Sequence, residues 1–478
     1  MDILMVTAEL APYARVSDAA EAVGALGKTL RQIGHEVTIA VPRYPGFEAQ
    51  GLLLARRLTP LTLASGASVT LFDGQLASGV RLVLFDAPEL GVASGVCGDG
   101  RVDPPSEAGR CAGFAQAAAA LVRQRFQQGT PFDVVHVHDW PGALVPVFLS
   151  RMEDLLVPTV LTVHDLGRQG CFAPDLLGAL GLPADLAGEA GLALGGELNA
   201  LKGGLLFADA VVLVSAAIRD ELRADPRGGA LVRFLEERGL ETAAIGYGID
   251  YSIYNPATDP GLVSRFDAED PSRRGLSRTE LLRRLELDLE PGRPLVGLVV
   301  DGKRGQDAGV VLEALPELCR IDATLVLAGA LGADERARFE AERARHPDRL
   351  AALDLVEDAA LRRLFAAVDL AVFPAREWTY GLPVLAAKRY GAVPVAHAAG
   401  AVSEHVVDAD AALMTGTGFL FDELEPTALV AAVARAAAAF RRPEWPAFVT
   451  RVMRQDASWD RPARRYLQLY RQAIAGKA

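Results

Sequence analysis

The sequence predicts an α/β protein made of two doubly wound domains in series. The chain has 478 residues, it carries two separate series of short apolar runs, and segments of helical periodicity lie between the runs. A single hydrophobic core stops growing near ~250–300 residues, so a chain of this length divides. Half of the residues are hydrophobic and 23% are charged, a globular composition.

The first series of runs covers residues 3–7, 36–41, 81–85, 134–137, 159–163 and 210–214. Each is rich in β-branched residues, has the length of a strand and is bounded by polar or turn residues. Between them, residues 19–33 and 113–127 repeat apolar side chains at helical spacing. Buried strands alternating with helices make a mostly parallel sheet covered on both faces. The second series begins near Pro294, with strands expected at 295–300, 324–328, 350–355, 370–373 and 393–397. Helices are expected at 310–318, 333–344, 359–367, 382–390 and 427–440. The join falls near 243–250, ahead of the polar stretch Asn255-Pro256-Ala257-Thr258-Asp259-Pro260. Sheets of this kind bind ligands beyond the carboxyl ends of their strands, so the working site is expected in a cleft between the two domains.

Composition narrows the function. A formal net charge of −12 argues against a broad nucleic-acid-binding face. Four cysteines, Cys97, Cys111, Cys171 and Cys319, form no Cys-x-x-Cys pair. That spacing speaks against a zinc site or a disulfide framework and for a reducing compartment. Met1-Asp2-Ile3-Leu4-Met5-Val6 lacks the basic start and long apolar stretch of a signal peptide. The alanine-rich runs are broken by charges too often to span a bilayer. The expected location is the cytoplasm, with no membrane partner.

Several stretches in fixed order resemble the bacterial glycogen synthases and plant starch synthases. They are Ala8-Glu9-Leu10-Ala11-Pro12, His136-Val137-His138-Asp139-Trp140, Thr162-Val163-His164-Asp165-Leu166 with Gln169-Gly170, and Asn199-Ala200-Leu201-Lys202-Gly203-Gly204. Ala208-Asp209 with Val214-Ser215, Gly248-Ile249-Asp250, Tyr380-Gly381-Leu382-Pro383 and Ser458-Trp459 with Ala463, Tyr466 and Tyr470 follow. The resemblance covers nearly the whole chain. It implies the GT-B fold, two facing Rossmann-like domains, with a terminal helix returning to the first. The expected boundaries are 1–245 for the acceptor-side domain, 246–455 for the donor-side domain and 456–478 for the returning helix. It also implies a retaining transfer of glucose from ADP-glucose to an α-1,4-glucan, with no metal and no cofactor.

Such a reaction needs cations and N–H groups to meet the departing diphosphate, and polar groups to grip the sugar. By the resemblance, His164 reaches the transferred sugar and Asp139 stands on the acceptor side. The family's loop Lys-Thr-Gly-Gly-Leu-Ala-Asp reads Arg15-Val16-Ser17-Asp18-Ala19-Ala20-Glu21 here. Arg15 keeps the cation, while both glycines that let backbone approach a phosphate are gone. The family's Arg-x-x-x-x-Lys-Gly aligns without gaps on Asp301 and Gln306; a local slip offers Lys303 or Arg304 with Gly309 instead. The carboxylate of the family's Glu-x-x-Gly-Leu segment aligns on Trp378, beside Glu377 and ahead of Tyr380, Gly381 and Leu382. Tyr247 stands where the family has the Asn before Gly-Ile-Asp, Val356 where it stacks a tyrosine on adenine, and Gly400-Ala401 replaces a glycine pair.

Plainer readings stand beside these. His136, His138 and His164 also fit strand-end histidines in the core, and with Asp139 they fit metal ligands less well. Arg376 and Glu377 fit an exposed ion pair, and Arg273 to Arg284 a solvated helix face. Trp459, Tyr466 and Tyr470 fit a core stripe. Two functions follow: the glucosyltransferase, its altered pocket also compatible with another donor, and an inactive relative that holds an α-glucan or a partner enzyme of glycogen metabolism.

Overall fold

Apolar runs too short for helices become the strands of two parallel-rich sheets. The computed structural model describes residues 1–99, 103–240, 242–288, 290–300, 307–354, 358–376 and 381–477. The chain divides into two units, Met1–Tyr247 with Trp459–Ala478, and Gly248–Ser458.

In the first unit the elements are β1 (Asp2–Val6), α1 (Ala19–Gln32), β2 (Glu36–Pro42), β3 (Ser68–Gln75), β4 (Arg81–Asp86), α2 (Pro104–Gln127), β5 (Val134–His138), β6 (Thr159–Val163), β7 (Ala210–Leu213) and β8 (Thr242–Ala244). They pair in the order β8-β7-β6-β5-β1-β2-β4-β3, with short edge strands beyond β3. β1 lies between β2 and β5, both parallel to it. The chain therefore winds outward from β1 in both directions, and the switch point lies between β1 and β5. Loops leaving the carboxyl ends of such a pair make the crevice where ligands bind.

The second unit repeats the plan with β9 (Leu295–Val300), α3 (Ala308–Leu318), β10 (Thr324–Gly329), β11 (Leu350–Leu353), β12 (Leu370–Phe373), α4 (Leu382–Arg389), β13 (Val393–His397) and β14 (Phe419–Phe421). The order β11-β10-β9-β12-β13-β14 is parallel throughout. Its switch point lies between β9 and β12. All six residues of β9 are buried, as expected of a central strand covered on both faces. Gly329 closes β10 at φ +146°, and a Cβ there would lie 1.6 Å from the Val300 carbonyl oxygen. No side chain fits that space, and only glycine adopts the backbone freely. Gly329→Ala should destabilise the fold by more than about 3 kcal/mol, read by urea unfolding.

The last helix, α5 (Asp460–Lys477), belongs to the first unit and packs on α1 and β6. Tyr466 and Tyr470 share one helical face and are 2% and 0% exposed. They are core residues with polar tips. The Tyr470 hydroxyl meets His136 Nδ1 at 2.7 Å, and Tyr466 meets Thr162 at 3.1 Å.

Two expectations need correction, and one strand was not foreseen. Helix α2 starts at Pro104 rather than at 113, because Asp103 caps it by accepting the Ser106 N–H at 3.1 Å and Pro104 suits the first turn. Strand β3, antiparallel to β4, carries too few apolar residues to stand out. The arginine-rich helix Arg274–Arg284 is not wholly solvated. Arg278 pairs with Asp369, and Arg274 donates to the Val368 carbonyl at 2.6 Å, so its inner face holds the chain entering β12.

Candidate active site

Strand β5 reads Val-Val-His-Val-His and is buried along its length. Its period of two puts His136 and His138 on one face, their rings 4.1 Å apart. His136 is satisfied on both sides, by Tyr470 and by the Thr162 hydroxyl at 2.7 Å. It is a structural histidine that ties β5 to β6 and α5. His138 Nδ1 meets His164 Nε2 at 3.0 Å, and His164 Nδ1 meets the Tyr247 hydroxyl at 2.5 Å. His138 Nε2 is buried with no hydrogen-bond partner among the described residues.

Asp139 follows β5 with φ +53°, a left-handed backbone that Asp tolerates better than most residues. One carboxylate oxygen accepts the His164 N–H at 2.6 Å and the Asp165 N–H at 3.0 Å. The motifs after β5 and β6 are thus one unit: the carboxyl of one clamps the turn of the other. Held left-handed conformations of this kind cluster at functional sites.

Burial sets the protonation of these groups. Desolvation pulls His136 and His164 down to about 3. It drops His138 well below the usual histidine value and pushes Asp139 well above the carboxylate range. The three imidazoles are neutral at pH 7. A histidine whose folded pKa is lowered takes its proton first in the unfolded chain, so stability falls as pH drops below 6.5 toward the folded value. Each contributes up to about 1.4 kcal/mol per pH unit in that window. Asp139 acts in the opposite sense, since its raised pKa favours the fold as pH falls through it. Three histidines outweigh one carboxyl. Urea unfolding at pH 5.5 should show about 1–4 kcal/mol less stability than at pH 7.5; equal stabilities would contradict neutral, buried rings.

The loop after β1 completes this wall. Glu9 Oε2 accepts the N–H groups of Val16 and Ser17, each at 2.8 Å, and Oε1 accepts the Ser17 hydroxyl at 2.6 Å. Arg15 pairs with Glu21 at 2.6 Å and with Asp18 at 3.8 Å. The donors of the former glycine loop are therefore held by the protein's own carboxylate, and Asp18 leans toward Arg15. Sequence reasoning used Glu9 only as a family marker and missed this clamp. A pocket at the switch point is lined by Glu9, Ser17, His138, Asp139, Trp140 and Asp165, among others. A separate groove of about 1710 Å³ beside α2 shares no residue with it.

Cys97 also lines the pocket and is disulfide-bonded to Cys111, with Cα atoms 6.4 Å apart. This corrects the cysteine reading, which looked for close spacing in sequence. Cys97 lies against α2, which carries Cys111. Cys171 and Cys319 are free thiols.

In the second unit the picture is partial. Lys303, Arg304, Glu377, Trp378 and Tyr380 lie outside the described residues, as do Asp301, Gln306 and Val356. Arg376 pairs with Asp307 at 2.9 Å. Asp307 caps α3 by accepting the Gly309 N–H at 2.8 Å, so that donor is engaged within the protein. Gly381 has φ +76° and opens α4, a Cβ there falling 2.8 Å from the His405 ring. Leu382 is buried in the first turn. Tyr247, expected near a nucleotide, is buried with its hydroxyl on His164 and its ring 5.9 Å from Trp459.

Residues 2–237 match the family described as the starch synthase catalytic domain, and residues 296–438 match glycosyl transferases group 1. The chain is 35% identical to a glycogen synthase of Anaeromyxobacter sp. (strain Fw109-5), covering 99% of this chain and 100% of that one. It is 33% identical to glycogen synthase 2 of Geobacter sulfurreducens, covering 99% of each. The catalytic domain of starch synthase IV from Arabidopsis thaliana, solved bound to ADP and acarbose, superposes with a TM-score of 0.86 at 25% identity over 99% of both chains. Sucrose-phosphate synthase from Thermosynechococcus elongatus shares the fold, with a TM-score of 0.60 at 18% identity over 99% of both chains. Two Rossmann-like sheets, a terminal helix returned to the first unit and full-length likeness to these synthases lead to one assignment: the chain belongs to the glycogen and starch synthase family of GT-B glycosyltransferases.

Proposed function

We propose that the protein is a retaining glucosyltransferase that moves glucose from ADP-glucose to the end of an α-1,4-glucan. The observation that carries the reading is the clamped pair of motifs, Asp139 holding the turn of His164 at the switch point of the first sheet. It stands in a chain whose relatives named glycogen synthase align along its full length. The starch synthase IV domain binds ADP and acarbose, which supports a nucleotide sugar and a glucan as the ligand classes here.

In this reading His164 organises the sugar and Asp139 the acceptor side. Arg15 serves the wall from which the diphosphate departs. Lys303 and Arg304 supply the cations for that charge, and Glu377 the carboxylate near the anomeric carbon. Trp378, Tyr380, Gly381 and Leu382 shape the donor pocket. Negative charge grows on the leaving diphosphate in the transition state, so fixed cations accelerate the step. No metal is required for this division of labour. The same proposal puts the protein in the cytoplasm, because a charged nucleotide sugar does not cross a membrane unaided. Among the described residues, no helix is long and apolar enough to cross one. The inactive, glucan-holding reading is not favoured by relatives that are synthases end to end.

Donor choice tests the proposal. Turnover with ADP-glucose should exceed turnover with UDP-glucose at equal concentration. Preference for UDP-glucose would overturn the donor assignment.

A further inference from the structure

In the second unit, helix Ala333–Arg343 and the turn after it set a carboxylate beside an imidazole. Glu342 and His346 have the i,i+4 spacing that brings side chains onto one face, and His346 Nε2 lies 3.4 Å from Glu342 Oε1. Cys319, which closes α3, is a free thiol that reaches the same place. Its sulfur, a Glu342 carboxylate oxygen and a His346 ring nitrogen all lie within 4.8 Å of one another. Cys319 and Glu342 are 4% and 7% exposed. Burial, with the charge of Glu342 added to it, pushes the Cys319 thiol up to about 11.

The neighbouring cations bond other atoms. Arg345 donates to the second Glu342 oxygen and Arg349 to the Cys319 carbonyl, each at 3.0 Å. An outer hydrogen bond of the first kind orients a ligating carboxylate. Sulfur, imidazole nitrogen and carboxylate oxygen are the donors that zinc takes, at ~2.0–2.3 Å in tetrahedral geometry. The edges of such a tetrahedron measure about 3.3–3.8 Å. The Glu342–His346 edge already has that length, and the sulfur has about an ångström at most to close. A thiolate and a carboxylate together neutralise a divalent cation, so the loaded site buries no net charge.

We propose that Cys319, Glu342 and His346 form a binding site for zinc, with water as the fourth ligand. On binding, sulfur bonds the metal as thiolate and its proton passes to solvent. His346 lines a surface pocket in which Asp288, Glu290 and Asp348 face Arg293, Arg345 and Arg349, and this pocket gives the ion its entry. Cys319 precedes β10 and His346 precedes β11, neighbouring parallel strands, so the site lies at their amino ends. Ligand crevices of such sheets open at the carboxyl ends. The ion therefore ties α3 to helix Ala333–Arg343 and takes no part in glucosyl transfer. No Cys-x-x-Cys spacing announces the site, because its ligands come from separate elements.

Cobalt titration of the full-length protein tests the proposal, since a thiolate–cobalt bond gives a charge-transfer band in the near ultraviolet. The protein is first stripped with a chelator and kept under argon without thiol reductant, so that Cys97 and Cys111 stay bonded. The expected band saturates at one equivalent and is displaced by zinc. It disappears in Cys319→Ser and persists in Cys171→Ser, which removes the other free thiol. His346→Gln, at a part-exposed position that tolerates the change, should weaken cobalt binding at least about tenfold. That variant decides the question if Cys319→Ser does not fold. Absence of the band, its survival in folded Cys319→Ser, its loss in Cys171→Ser, or unchanged affinity in His346→Gln would overturn the proposal.

Discussion

His164→Ala lowers kcat for glucosyl transfer by at least about 10²–10³-fold, the loss expected when an oriented polar group at a reacting centre is removed or displaced by about an ångström. The ring joins two partners, and its removal breaks both links. The Tyr247 hydroxyl and His138 Nδ1 each lose their hydrogen bond to the ring. Stability should fall as well, by about 2–4 kcal/mol for the cavity and the two unmade bonds. Initial rates must therefore be taken well below the melting temperature of the variant. A folded His164→Ala protein turning over at the unmutated rate would remove His164 from the site.

Asp139→Ala is expected to be the most damaging change for the fold around the pocket. One carboxylate oxygen serves the N–H groups of both His164 and Asp165. Alanine leaves both unsatisfied, and at φ +53° it is also less comfortable than aspartate. The expected loss is about 3–5 kcal/mol, with activity falling in step as the His164 turn loosens. Asp139→Asn separates the two roles, since an amide oxygen still accepts both N–H groups. That variant should keep most of the stability and lose activity wherever the acidic group itself meets the acceptor. Equal unfolding free energies for Asp139→Ala and the unmutated protein would contradict the clamp.

Both residues were singled out through the family resemblance, while the strands that carry them are legible for a local reason. Buried parallel strands read as unbroken apolar runs, so β5 and β6 stand out, and the polar residues at their carboxyl ends mark a switch point. The second sheet was legible for the same reason. Strand β3 was not, because an antiparallel strand near a sheet edge keeps a polar face and lacks that signature. Contacts made across the fold were the least legible. Nothing at positions 9 to 17 announces that Glu9 turns back onto the Val16 and Ser17 N–H groups. Cys97 and Cys111 meet although fourteen positions separate them in sequence. Tyr247 sits where a family alignment suggests a nucleotide contact, yet its hydroxyl lies on a histidine of the first sheet. Alignment locates a residue along the chain; the partner of its polar tip is decided by packing.

The clamp on Val16 and Ser17 bears on the reaction. Donors that meet a phosphate in a glycine loop are here satisfied by Glu9, and Arg15 is paired with Glu21. Under the proposed function, that arrangement leaves Lys303 and Arg304 as the cations for the leaving diphosphate.

The central claim is chemical, and one measurement addresses it directly. Purified protein is incubated with ADP-[¹⁴C]glucose and glycogen, and the label in the polymer is counted before and after digestion with an α-1,4-specific amylase. The account predicts incorporation that the amylase releases. No incorporation from ADP-glucose or from any other nucleotide sugar, by protein shown to be folded, would contradict it.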